Sequence, residues 1–140
     1  MFALTPNETE ARVCLGLGPH ADTSPEELGR QLLDLGPQNV IVTLGAQGAL
    51  WLSGERVCRI PALAVRAVDT VGAGDAFNAA LAVGISEEAP MQEALTLASV
   101  TASLSTGKRE TIASYPRRPE VDRRLHEVRK GIVQCSTAPY

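Results

Sequence analysis

Short apolar runs alternate along this chain with glycine- and proline-rich breaks, and their spacing switches between strand and helix periods. Met1-Phe-Ala-Leu-Thr-Pro6 reads as the last residues of a buried strand stopped by proline. A short helix is expected around Glu8 to Leu15, followed by a loop from Gly16 to Thr23. Ser24-Pro-Glu-Glu27 combines a capping serine, proline at the first helical position and glutamate at the third, so a second helix should run from there to about Leu35 and stop at Gly36-Pro37. Asn39 to Leu44 is an unbroken apolar run, the pattern of a strand covered on both faces as in parallel sheets. Ala49 to Leu52 and Arg56 to Ile60 flank Ser53-Gly54-Glu55 as the arms of a hairpin, with Trp51 as a packing residue.

Further along, Ala64 to Val68 reads as a short strand and Asp69-Thr-Val-Gly-Ala-Gly-Asp75 as its junction with an apolar helix from Ala76 to about Val83. Pro90 opens another helix, Met91 to about Ser105, in which Leu95, Ala98, Ala102 and Ser105 share a face. A polar loop from Thr106 to Pro116 leads to a last amphipathic helix near Pro119 to Lys130. Together these predict an α/β layered domain over residues 1–130, with helices flanking a largely parallel sheet, and a tail over 131–140 without regular structure. A start in mid-strand implies a sheet incomplete on its N-terminal side, with an exposed apolar edge prone to self-association or a homo-oligomer.

Composition narrows the partners. The 140 residues are 44% hydrophobic and 21% charged, enough for one core. A net charge of -3 with interspersed signs argues against nucleic acid or an acidic membrane as partner. Arg117, Arg118, Arg123 and Arg124 are therefore read as a solvated helix face. The three cysteines, Cys14, Cys58 and Cys135, lack metal or redox spacing, which suggests reduced thiols in a cytoplasmic protein, Cys14 and Cys58 being buried. No run is long and apolar enough for a membrane span, and no signal-peptide layout opens the chain.

The chemically informative stretch is Val68 to Phe77. Two glycines at a helix N-terminus can turn backbone N–H groups and the positive end of the helix dipole toward one anion. Asp75, in the first turn, could then take a proton from a hydroxyl that attacks a bound phosphoryl group. A plain tight turn with an aspartate cap is the competing reading. A dinucleotide fingerprint needs a third glycine that is missing, and a P-loop needs a Gly-Lys-Ser/Thr ending that is also missing.

Asp69-Thr70-x-Gly72-Ala73-Gly74-Asp75 resembles the second signature of the ribokinase-like (PfkB-type) carbohydrate kinases. Two further segments agree in order and distance. Pro6-Asn7-Glu8-Thr9-Glu10-Ala11 is similar to the family's Asn-x-x-Glu element around Mg²⁺ and phosphate, and Val42-Thr43-Leu44-Gly45-Ala46-Gln47-Gly48 to its segment beside the ATP phosphates. Ser114-Tyr115-Pro116 resembles the ribokinase branch. The matches run from Leu4 to about Leu125 and correspond to the family's C-terminal half, so the sugar-binding half is expected to be missing.

The resemblance implies ATP-dependent phosphorylation of a sugar's primary hydroxyl, with D-ribose the first candidate. Asp75 would be the general base, and the amides of Gly72, Ala73 and Gly74 the anion hole. Asn7, Thr43, Gly45 and Gly48 would hold the nucleotide. Glu10 would act on Mg²⁺ through water, and Asp69 would lie at a monovalent-cation (K⁺) site. The helix from Met91 and the loop after Thr106 would border adenine, although Ala98 or Ser99 stands where the family has Asn, and Glu110 where a glycine is usual. Two functional readings follow: a kinase that works only when completed by a sugar-binding half, and a non-catalytic nucleotide-binding module.

Overall fold

The computed structural model describes residues 1–107, 115–132 and 135–137. They form two compact units: Met1–Arg59 together with residues 135–137, and Ile60–Ile132.

The first unit is built on a sheet of β1 (Ala3–Leu4), β2 (Asn39–Thr43), β3 (Ala49–Ser53), β4 (Arg56–Ile60) and β5 (Ser136–Thr137), in that order. β1 runs parallel to β2, with Ala3 opposite Asn39 and Leu4 opposite Val40. β2 pairs antiparallel with β3, and β4 antiparallel with β5. Among the described residues the expected largely parallel sheet is thus reduced to one parallel strand pair. The connections explain why: a 3-10 turn, Gly45–Gln47, and a two-residue turn, Gly54-Glu55, leave no length for the crossover that parallel neighbours need. β2 is buried on both faces from Asn39 to Val42, as its apolar run implies, and partly buried at Thr43.

Two helices flank this sheet, α1 (Glu8–Cys14) and α2 (Pro25–Leu33). α2 starts at the capping box read from Ser24: the Glu27 amide donates to Ser24 Oγ at 3.2 Å, and the Ser24 amide donates to Glu27 Oε2 at 2.8 Å. The Ser24 hydroxyl also donates to that carboxylate and, with its backbone amide, holds Glu27 below the usual carboxylate range. The helices bury Ala11, Leu28 and Leu32 against Val40 and Val42. Complete burial of each leucine is worth about 1.5–3 kcal/mol. Cys14 ends α1 exposed, contrary to expectation, because the inward face of that helix falls on Ala11.

Asn39 ties three strands together. Its amide and its Nδ2 both donate to Phe2 O at 3.1 Å, and its Oδ1 accepts from Trp51 Nε1 at 3.0 Å. Trp51 is buried, as expected of a packing residue, with the Arg56 guanidinium 5.8 Å from its ring centroid. At the far side of the sheet, Cys58 of β4 and Cys135 beside β5 form a disulfide with Cα atoms 4.4 Å apart. The reduced thiols expected from sequence are replaced here by a covalent clamp, and part of the supposedly structureless tail is a strand.

The second unit is helical: α3 (Ala73–Ser86), α4 (Met91–Ser105), α5 (Arg118–Asp122) and α6 (Leu125–Gly131). Ala64 to Val68 forms no strand, because its chain finds a helix end instead of a neighbouring strand: the amides of Val68 and Asp69 both donate to Thr106 O. The single helix expected over Pro119 to Lys130 is broken at Arg123-Arg124. Arg118 pairs with Glu87 and Asp122, which raise its pKa further, and Arg124 pairs with Glu127, so these two guanidinium groups are partly neutralised at the surface.

α4 is the core of this unit. It packs on α3, α5 and α6, and Ala94 to Val100 are buried without a break. Its buried hydroxyls are satisfied by backbone: Ser99 Oγ donates to Pro61 O at 2.6 Å, while Ser103 Oγ accepts from the Leu63 amide at 3.0 Å and donates to Ser99 O. α3 and α4 approach each other tightly at Gly84.

A Cβ at Gly84 would stand 2.7 Å from Ala94 Cβ and 2.8 Å from Ala94 Cα. Gly84→Ala should therefore cost about 1–3 kcal/mol in urea unfolding despite alanine's better helix propensity. An unchanged midpoint would show that the two helices separate freely. Reduction of Cys58–Cys135, or Cys58→Ser, should lower stability by about 2–4 kcal/mol, since the bond closes a 77-residue separation. Identical melting curves with and without dithiothreitol would contradict this.

Candidate functional site

The glycine-rich junction of the second unit is moored by backbone. After the two bonds to Thr106 O, Asp69 Oδ1 accepts from the Val71 amide at 3.0 Å and tightens the turn. Gly72 then takes φ 80° and ψ 0°, a left-handed conformation that favours glycine, and its carbonyl accepts the first helical bond from Ala76 at 2.9 Å. α3 therefore begins at Ala73, three residues earlier than the apolar pattern indicated, and Asp75 is its third residue.

No side chain caps this helix. The Ala73 amide donates to Thr70 O at 3.3 Å, whereas the amides of Gly72, Gly74 and Asp75 have no acceptor among the described residues. Unsatisfied donors at a helix N-terminus, joined by the helix dipole, make an anion site. The Asp75 side chain is exposed beside them, without an ion pair or hydrogen bond among the described residues. Gly74 is also exposed, and a Cβ built there meets nothing within 4 Å.

The first unit assembles a second group. The Thr43 amide donates to Pro6 O at 2.9 Å, and Asn7 forms a parallel bridge with Thr43, so the chain past β1 is carried alongside the end of β2. There β2 turns through Gly45 (φ 57°) and Gly48 (φ 90°), closed by Leu44 N–H to Gly48 O at 2.8 Å. Asn7, Thr43, Gly45 and Gly48 thus share one end of the sheet.

Asn7 and Glu10 are in direct contact. Asn7 Oδ1 accepts from the Glu10 amide and the Asn7 amide donates to Glu10 Oε2, both at 2.9 Å, a capping box at the start of α1. Each keeps polar atoms for a ligand: Asn7 its Nδ2, Glu10 its Oε1. No cluster of three or more His, Cys, Asp or Glu able to hold a metal occurs among the described residues. A single carboxylate with one open oxygen, as at Glu10, is compatible only with an ion that retains most of its water, as Mg²⁺ does. Asp69 spends one carboxylate oxygen on its own turn, and the other has no partner among the described residues.

Other expectations fared differently. Ala98 and Ser99 are buried, and the Ser99 hydroxyl is committed to Pro61, so neither presents a free surface to adenine within its unit. Glu110 and Ser114 lie outside the described residues. A groove of about 280 Å³, not foreseen from sequence, is lined by Ala76, Ala80 and Val83 of α3, Leu97 of α4, and Tyr115 and Pro116. No motif in the sequence marks Arg59, whose Nη2 donates to Gln47 Oε1 at 2.9 Å, at the same turn as Gly45 and Gly48.

The model of the pfkB family carbohydrate kinases matches residues 1–118. The chain belongs to this family. It is 37% identical over 111 residues to a deoxyribokinase of Salmonella typhi and 38% identical over 122 residues to a ribokinase of Bacillus subtilis, covering 79% and 87% of this chain. The chain spans 36% and 39% of the length of these curated relatives. Among solved structures, the ribokinase of Arabidopsis thaliana complexed with ribose and ATP superimposes with a TM-score of 0.78 at 33% identity, over 89% of this chain and 41% of that one. The fold is ribokinase-like. Both glycine-bearing segments described above fall inside the family match.

With no neighbour requiring glycine at position 74, Gly74→Ala should leave folding intact or add up to about 1 kcal/mol of stability. Gly72→Ala should lose about 1–2 kcal/mol, because alanine resists the left-handed conformation. Paired urea titrations of the two variants check this contrast.

Proposed function

We propose that this chain carries the nucleotide-binding and catalytic residues of an ATP-dependent sugar kinase, with D-ribose as the first-choice acceptor. The observation that supports the reading best is the start of α3, where open amides and the exposed Asp75 carboxylate stand side by side. In this reading Asp75 accepts the proton of the sugar's primary hydroxyl as its oxygen bonds to the γ-phosphorus and the bond to ADP breaks. The amides at Gly72, Gly74 and Asp75, with Ala73 once released from Thr70, stabilise charge gathering on the phosphoryl oxygens.

Asn7, Thr43, Gly45 and Gly48 hold the ATP phosphates at the end of β2. Glu10 orients water around Mg²⁺, which when bound neutralises phosphate charge. Asp69 offers a carboxylate oxygen and neighbouring carbonyls to K⁺. A cytoplasmic location goes with ATP as substrate, and the Cys58–Cys135 bond would there be open to reduction.

A second reading, a nucleotide-binding module without catalysis, is favoured by one feature: every residue assigned above handles phosphate, nucleotide or cation, and none positions a sugar. Orientation of the acceptor supplies much of the rate in phosphoryl transfer. The edge of β1, next to exposed Phe2, is where an added strand or a second copy would complete the sheet.

ATP-dependent phosphorylation of D-ribose and 2-deoxy-D-ribose, with Mg²⁺ and K⁺, separates the readings when the chain and its Asp75→Asn variant are assayed together. The kinase reading expects turnover that falls about 10²–10⁴-fold in the variant. ATP binding without turnover in either protein would make the module the better reading.

A further inference from the structure

We propose that Arg59 is a phosphate-binding residue of the nucleotide site in the first unit, a role that rests on the reading of Thr43 and Gly45 as neighbours of the ATP phosphates. Along β4 the side chains alternate. Cys58 and Ile60 are buried on one face, whereas Arg59 points from the other and is exposed. Its guanidinium reaches the turn that follows β2, where Nη2 donates to Gln47 Oε1 at 2.9 Å. Gln47 closes the Gly45–Gln47 turn, so the charge is held at the end of the sheet that gathers Asn7, Thr43, Gly45 and Gly48.

The choice of anchor is informative. In the same unit Arg12 pairs with Glu8, and Arg30 with Glu26. Arg59 has no carboxylate within ion-pair distance among the described residues; a neutral amide holds it instead. Such a contact orients the side chain without cancelling its charge. Arginine carries five N–H donors in a planar fork, and among the described residues only one of those of Arg59 has an acceptor. The remaining donors suit the paired oxygens of a phosphate, which a guanidinium can bind bidentately. Glu8 and Glu10 of the same unit are engaged elsewhere, Glu8 with Arg12 and Glu10 with the cap of α1, and neither pairs with this cation.

The same hydrogen bond could merely staple the turn to β4, and the test separates the two roles. Dissociation constants for Mg·ATP, inorganic tripolyphosphate and adenosine are measured by calorimetry at low salt for the chain and for Arg59→Gln, Arg59→Lys and Arg56→Gln. Arg56 lies on the same strand, faces the Trp51 side and carries the same charge, so it controls for net charge. Arg59→Gln should weaken ATP and tripolyphosphate about ten-fold, in the range of a hydrogen bond to a charged group, and leave adenosine unchanged. Arg59→Lys should recover part of the loss, and Arg56→Gln should match the parent chain.

Equal phosphate affinity in Arg59→Gln and Arg56→Gln, with the parent chain binding ATP, overturns the role of Arg59 and leaves the nucleotide reading standing. A parallel loss of adenosine binding assigns Arg59 to the turn's structure and also overturns the proposal. Absence of ATP and tripolyphosphate binding in the parent chain overturns the nucleotide reading and the inference together.

Discussion

The pairing of Ala3 and Leu4 with Asn39 and Val40 determines where the motif-bearing residues of the first unit can be. Two residues of parallel ladder are weak by themselves. Asn39 reinforces them by spending its side chain on both neighbours, the Phe2 carbonyl and the Trp51 indole, from a buried position where any unpaired polar atom would cost about 1–3 kcal/mol. The same register carries forward to the Pro6–Thr43 bond and the Asn7–Thr43 bridge. A motif residue at position 7 and another at position 43 thereby meet at one sheet end, although a helix, a loop and a second helix intervene in the chain.

Much of this could be read from residue order where the determining contacts are local. The capping box at Ser24, the hairpin around Gly54 and the bounds of α4 depend on neighbours within a few positions, and all agree with the structure. What failed depends on partners that periodicity cannot name. The apolar run of β2 announces burial on both faces but not the direction of the strand beside it. Ala64 to Val68 has strand-like composition, yet its terminal amides bond to the carbonyl at the end of α4, a partner nearly forty residues away. Cys58 and Cys135 carry no spacing signal, and their union follows only from the placement of β5 against β4. Asp75 and the glycines before it were legible as a unit because a helix start is local chemistry. The Arg59–Gln47 contact was not, since it needs the register of the hairpin.

Asn7 and Glu10 show how one spacing can serve two purposes. A residue at the N-cap and another three places on are what a capping box demands, and also what the family motif presents. The structure satisfies the first demand while leaving the outer atoms of both side chains open. At the start of α3 the division is sharper, because the helix has no capping side chain and keeps its amides uncommitted. The first helix is finished locally; the other begins on open donors.

Ser99 and Ser103 bind the chain at Pro61 and Leu63 to a helix enclosed through Ala94 to Val100, and Thr106, just beyond that helix, holds the strand-like segment leading into the glycine junction. In terms of hydrogen exchange, the amides of α4 should be the last in their unit to open, because releasing them requires losing its whole core. The segment from Val68 to Gly72 would then be rooted, through its two bonds to Thr106, in the most persistent element of the unit. Exchange at the start of α3 would then report on that turn alone, because the bonds of Val68 and Asp69 persist for as long as the end of α4 does.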